Sequence, residues 1–128
     1  MLVSILHRVT GSALAIAGLA VLTWWLIAIA GTPADYDFFQ GFIAVLTGRT
    51  FGQAETALQW IVNVLAVLIG VGLSWSFFQH LLSGMRHLVM DTGAGFELTT
   101  NKRFAILTIV GSILLTALLW VWLLGVRP

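Results

Sequence analysis

The sequence predicts an all-α membrane protein of three transmembrane helices, forming part of a heteromeric helix bundle. Three observations predict it. Residues 9–30, 56–79 and 104–126 carry no ionisable side chain, and each run exceeds the roughly 20 residues that cross a hydrocarbon core about 30 Å thick. Hydrophobic residues make up 59% of the chain and charged residues 9%, against roughly 45–50% and 25% in soluble domains. The mean hydropathy is +1.02, so lipid is the solvent for most of the chain. There each run must be helical, because backbone N–H and C=O groups find no water to bond.

The whole of residues 1–128 reads as a single transmembrane anchor domain, with helices at about 9–30, 56–91 and 101–126 and an outer loop at 31–55. The first run is not a cleaved signal peptide: it is longer than a 7–15-residue apolar core, and Trp24-Trp25 stands where small cleavage-site residues belong. Gly31-Thr32-Pro33 ends it. In the outer loop Phe38, Phe39, Phe42, Ile43 and Leu46 recur at helical spacing, which predicts a short amphipathic helix lying in the interface. Helical character continues past Gln79 to Asp91, where Thr92-Gly93 supplies a glycine C-cap. The second helix is then about 54 Å long and projects from the bilayer. Thr99, Thr100 or Asn101 is the expected N-cap of the third helix.

Sidedness follows from the cations. Arg8, Arg86, Lys102 and Arg103 fall on one side, Arg49 and Arg127 on the other, which favours an inside N-terminus. Trp24, Trp25, Trp60, Trp120 and Trp122 lie toward the outer helix ends, as an aromatic belt would. The net charge of +1 excludes a nucleic-acid partner, whose phosphates require a basic patch. The absence of cysteine excludes a disulfide framework, a thiolate nucleophile and an iron–sulfur cluster held by this chain alone. Any metal centre must use histidine or carboxylates.

Ionisable groups inside a membrane are costly, on the order of 2.5–3.5 kcal/mol at a helix centre, so the histidines are the first candidates for chemistry. His80 lies six or seven residues deeper than the Arg86-His87 pair and shares a helical stripe with Ser76, Gly84 and His87. Gly84, one turn away, leaves room for a flat group. His80 is then either a haem axial ligand or an interfacial histidine bonded to a partner helix. His87, with Asp91 one turn on, reads as half of a surface pair. Ser4, His7 and Arg8 form a second constellation before the first apolar run. Spacings of three and four gather a hydroxyl, an imidazole and a guanidinium at the inner membrane edge. They suit a quinone carbonyl or a haem propionate, or else form a basic flank on lipid phosphates. Small residues form two rows, Ala66-Gly70-Ser74 and Gly11-Ala15-Gly18, which permit close helix packing.

The segments Ser4-Ile-Leu-His7-Arg8-Val-Thr10 and His80-Leu-Leu-Ser-Gly84-Met-Arg86-His87-Leu-Val-Met-Asp91-Thr-Gly93 resemble the two signature motifs of the succinate dehydrogenase cytochrome b556 family. The patterns are S-x-x-H-R-x-[ST] and H-x-x-x-G-x-R-H-x-x-x-D-x-G, and each stands where the family has it. The likeness in helix count, sidedness and spacing covers the chain.

The resemblance implies a role for each matched position. His80 matches the axial ligand of haem b, whose iron it would hold together with a histidine of a second small membrane subunit. His7 and Arg8 match residues near the haem propionates. Ser4 and Arg8 match the ubiquinone site, completed by the second anchor subunit and the iron–sulfur subunit. Electrons from succinate reach that quinone through a flavoprotein subunit and iron–sulfur clusters, so the implied chain is part of an enzyme without being catalytic alone. Its other contact is membrane lipid. The family usually carries an upstream segment with an Arg-Pro pair, whereas this chain begins three residues before Ser4. The short start points to a bacterial inner membrane with the N-terminus cytoplasmic, the mitochondrial inner membrane being the alternative. Two rival readings are the anchor of a quinol:fumarate reductase and a non-redox small membrane subunit.

Overall fold

The structure, a computed structural model, describes residues 1–93 and 97–125. Those residues form four helices and no strand: α1 at Leu2–Ala30, α2 at Pro33–Leu46, α3 at Ala57–Asp91 and α4 at Leu98–Gly125. Helices α1, α3 and α4 are long and apolar enough to cross a membrane. Helix α3 stands between α1 and α4 and packs on both, while α2 lies against α1 and α3 at the end far from the N-terminus. Val126 and Arg127, assigned from sequence to the last helix end and the outer flank, lie outside the described residues.

Helix α1 begins at Leu2, seven residues before its uncharged run. The extra turns hold because one face of them is buried: Val3 and Thr10 are both covered, and the Thr10 hydroxyl donates to the Leu6 carbonyl at 2.7 Å. The helix is wound as a wider π turn at Leu14–Gly18. Of the small row predicted on this helix, Gly11 packs against α3, whereas Ala15 and Gly18 are exposed. The row therefore ends where the π turn begins.

Gly31 and Thr32 break the chain and Thr32 starts α2. Its hydroxyl faces the Asp35 backbone N–H at 3.4 Å while the Asp35 carboxylate accepts from the Thr32 N–H at 2.8 Å, with Pro33 at the first helical position. These are the elements of a capping box. The Thr32 hydroxyl, which donates to Asp35 Oδ2 at 2.7 Å, and the Thr32 backbone N–H together hold the Asp35 carboxyl below its ordinary pKa. The apolar face of α2 closes on Trp24, whose ring lies 4.7 Å from Phe42 and 5.4 Å from Phe39. Beyond α2, Gly48 takes φ +73°, a left-handed conformation that glycine accepts at little cost. Thr50 then bonds to buried Asn63 at 3.0 Å.

A second capping box, Thr56 with Gln59, opens α3. Its 35 residues make about 52 Å of helix, and Thr92 with Gly93 at φ +87° ends it. Gly70 admits the closest approach: a Cβ there would meet the Leu46 carbonyl oxygen at 2.5 Å. The small row on α3 thus lets the end of α2 abut it. Helix α4 starts at Leu98, so Thr99, Thr100 and Asn101 lie inside its first turn and none is its N-cap. Asn101 is instead held by the Glu97 carbonyl through its backbone N–H.

The interior reverses the soluble pattern. Buried side chains include Thr10, Ser76, Gln79, Ser83, Ser112 and Thr116, while Leu68, Leu118 and Val121 are more than 60% exposed. In lipid no hydrophobic force favours burying leucine, so small and hydrogen-bonding residues take the helix contacts. Along the α3–α4 seam the Ser112 hydroxyl donates to Gln79 Oε1 at 2.7 Å. Trp120, expected in the aromatic belt, is buried in this seam with its indole N–H 3.4 Å from Ser74 Oγ. Its polar edge found a partner inside the bundle, which removed the reason to sit at the interface.

Candidate functional site

The first turns of α1 cross the far end of α3, and this crossing brings the two sequence motifs together. The imidazoles of His7 and His80 stack with centroids 4.1 Å apart and planes within 8°. His87 meets His7 edge-on at 5.3 Å and is itself exposed. Four cations, Arg8, Arg86, Lys102 and Arg103, share this end of the bundle, and Arg49 lies at the other.

His80 Nδ1 lies 3.2 Å from the His7 carbonyl oxygen. A carbonyl only accepts, so Nδ1 carries the hydrogen and Nε2 keeps its lone pair. The carbonyl can serve both this ring and its own helix because it has two lone pairs. Space for the ring comes from Gly11, one turn further along α1: a Cβ there would stand 2.8 Å from His80 Cε1. Gly84, read from sequence as the room beside His80, instead faces His7, with an ordinary 3.9 Å between its Cβ position and His7 Cε1.

Of Ser4, His7 and Arg8, His7 is the one with a side-chain hydrogen-bond partner on α3. His7 is half-buried against α3, whereas Ser4 and Arg8 are exposed. The reason is angular: His7 and Arg8 flank the direction of Ser4 on the helix and stand about 100° apart from each other. Arg86 is half-buried between α3 and α4, and its guanidinium donates to the Asn101 side-chain oxygen, leaving Nε without a partner.

Sequence reasoning missed Ser83. This residue is fully buried, 2.7 Å from His7 Nδ1 and 2.7 Å from the Gln79 carbonyl oxygen. The signal that could have found it is the spacing of Ser76, Gln79 and Ser83, three and four residues apart. Such spacing makes one polar stripe on an otherwise apolar helix.

A family model described as the succinate dehydrogenase/fumarate reductase transmembrane subunit matches residues 1–119. A curated relative from Paracoccus denitrificans, named succinate dehydrogenase cytochrome b556 subunit, is 32% identical over 116 residues, covering 90% of this chain and 74% of the relative. Proteins of the same name from Rickettsia felis and Rickettsia conorii are each 36% identical over 118 residues, covering 92% of this chain and 77% of theirs. No solved structure matches the chain significantly. A family match that runs from the first residue through most of α4, joined to relatives alike along nearly the whole length, places the chain in the succinate dehydrogenase/fumarate reductase transmembrane subunit family.

Proposed function

We propose that this chain is the membrane-anchor subunit of a succinate:ubiquinone oxidoreductase, that His80 is one axial ligand of a haem b, and that Ser4 and Arg8 form part of the ubiquinone-reduction site. The name the relatives share, succinate dehydrogenase cytochrome b556 subunit, supports the haem and the direction of reaction over the fumarate reductase alternative.

The observation that carries the proposal is the bond from His80 Nδ1 to the His7 carbonyl. Histidines that ligate metal commonly donate the other ring N–H to a backbone carbonyl, which fixes ring and tautomer and leaves the second nitrogen for the metal. Nε2 of His80 meets that requirement. Among the described residues no three ligating side chains are arranged around a bare metal ion, so a macrocycle-held iron is the better fit. His7 is not the opposite ligand in this arrangement: rings stacked at 4.1 Å leave no space for a macrocycle between them. A second small membrane subunit would supply the other protein ligand, packing on the apolar surface that this chain exposes.

Haem iron, when bound, supplies a one-electron store. The chain's own residues bind and orient. His80 presents a fixed lone pair. Exposed Arg8 offers donors to a propionate or to a quinone carbonyl, with His7 close to the propionate, and the Ser4 hydroxyl offers a weaker donor to the quinone. The iron–sulfur subunit completes the pocket and the flavoprotein subunit feeds it. Membrane lipid surrounds the rest, with the N-terminus on the cytoplasmic face of a bacterial inner membrane.

The test is a reduced-minus-oxidised spectrum of the purified complex and of its His80→Ala variant. The parent should show a six-coordinate b-type spectrum and the variant should lose it. An unaltered low-spin spectrum in the variant overturns the ligand assignment, and a colourless parent complex favours a non-redox membrane subunit.

A further inference from the structure

We propose that Ser83 is a positioning residue that fixes the tautomer and ring plane of His7 and, through the stacked pair, the plane of the His80 imidazole. Position 83 is one of the unspecified places in the motif that the sequence resembles, so its role comes from the geometry of this chain alone.

A serine hydroxyl has a single hydrogen. Ser83 Oγ stands 2.7 Å from the Gln79 carbonyl and 3.2 Å from the His80 carbonyl, both of which only accept. Fully buried Ser83 is back-bonded to its own helix in the manner of helical serines, donating to the Gln79 carbonyl, and this assignment leaves its oxygen as an acceptor. His7 Nδ1, 2.7 Å away, must then donate. The result is a directional chain in which the His7 Nδ1–H donates to Ser83 and the Ser83 hydroxyl donates to the α3 backbone.

The same logic fixed His80, whose Nδ1–H donates to the His7 carbonyl. Each ring is therefore anchored across the α1–α3 crossing by the other helix, and both keep Nε2 as the bare nitrogen. The rings lie face to face, within 8° of parallel. Rotation of His7 about its side-chain bonds moves the surface on which His80 rests. His80 is also confined by Gly11, where even a Cβ would come within 2.8 Å of its Cε1. The His80 plane is thus limited by the close Gly11 backbone and by its stack on a His7 ring whose freedom Ser83 removes.

This inference rests on the reading of His80 as haem ligand, and the experiment separates the two. Electron paramagnetic resonance of the oxidised complex reports the orientation of axial imidazole planes through the low-field g value of low-spin haem. Ser83→Ala should keep a low-spin haem but shift and broaden that feature, and Ser83→Thr, which retains the hydroxyl, should restore it. In a His7→Ala background, Ser83→Ala should add no further shift, because the route through His7 is already cut. A readout independent of haem is the ¹⁵N spectrum of histidine-labelled reduced complex. There the His7 signal should change from a single Nδ1–H tautomer to a mixture in Ser83→Ala. Unchanged g values and an unchanged tautomer in Ser83→Ala overturn the proposal, as does a full shift that persists without His7. So does loss of haem in Ser83→Thr as well as in Ser83→Ala, since the hydroxyl is present in one of them. Should His80→Ala keep its low-spin spectrum, the ligand reading fails, and the tautomer measurement still decides the role of Ser83.

Discussion

Gly11 and His80 pack so closely across the α1–α3 crossing that a methyl group on the glycine would lie 2.8 Å from Cε1 of the imidazole. Gly11→Ala should therefore push the His80 ring out of its place and, with His80 as the proposed haem ligand, disturb the b-type spectrum nearly as much as loss of His80. Gly84→Ala adds a carbon at an ordinary 3.9 Å from His7 Cε1 and should leave the spectrum close to that of the parent. Optical spectra of the two variant complexes, at matched haem content, check the contrast.

If Ser4 and Arg8 form the proposed quinone site, Ser4→Ala and Arg8→Leu should slow quinone reduction while succinate oxidation with a soluble artificial acceptor persists, because only the last transfer would depend on that site. One hydrogen bond from a neutral hydroxyl is worth about 0.5–1.5 kcal/mol and one from a charged donor about 1.5–3. Arg8 should accordingly matter more than Ser4. Normal rates with unchanged apparent quinone affinity in both variants would remove these residues from the site.

The Ser112–Gln79 bond at 2.7 Å joins α3 to α4, yet Gln79 Nε2 is buried without a partner. Ser112→Ala should destabilise the bundle by about 0.6 kcal/mol and by no more than about 1.7, the average and the maximum for interhelical hydrogen bonds in membranes. Gln79→Leu removes the orphaned donor along with the bond, so the double variant should cost less than the sum of the singles. Denaturant unfolding of the complex in detergent, followed by helix circular dichroism, measures the cycle.

Asp35 lies outside the spanning helices and has a carboxyl held below its ordinary pKa by Thr32. A group with a lowered folded-state pKa contributes stability above the unfolded value, about 3.9 for aspartate, and loses it as pH falls through the folded value. Amide protection at the start of α2, the observed exchange rate taken relative to the intrinsic rate at each pH, should therefore fall at acid pH. Asp35→Asn should abolish that pH dependence, and Thr32→Ala should cost about 0.5–2 kcal/mol of helix stability. Protection that is independent of pH in the parent would contradict the cap.

What was legible in the sequence was whatever hydropathy and turn chemistry encode. The three long helices, the extension of α3 to Asp91, its end at Gly93 and the amphipathic α2 all follow from runs, spacing and breakers. The polar seam was not legible, because a serine or glutamine inside an apolar run lowers the average only slightly, and its value lies in a partner on another helix. Ser83 and Ser112 are such cases. Trp120 was misplaced for a related reason: height along a helix was read, but rotation about its axis was not, and rotation turned the ring inward. The same limit applied to His7 and Arg8. Their spacing brought both near Ser4, but only the crossing of α1 over α3 decided which of them faces a neighbour.

The π turn at Leu14–Gly18 carries a consequence for insertions and deletions. One added residue in a turn advances every later side chain by about 100° around the axis. Helix α1 thus has two angular settings, one presenting His7 and Gly11 to α3 and the other presenting Trp24 and Ala28 to the α2 side. Deleting a single residue here, Ala15 for example, would merge the settings and detach one end or the other. Exchanging exposed Ile16 for another apolar residue would disturb neither. The segment acts as a phase shifter, constrained in length and free in composition only at its exposed positions such as Ile16.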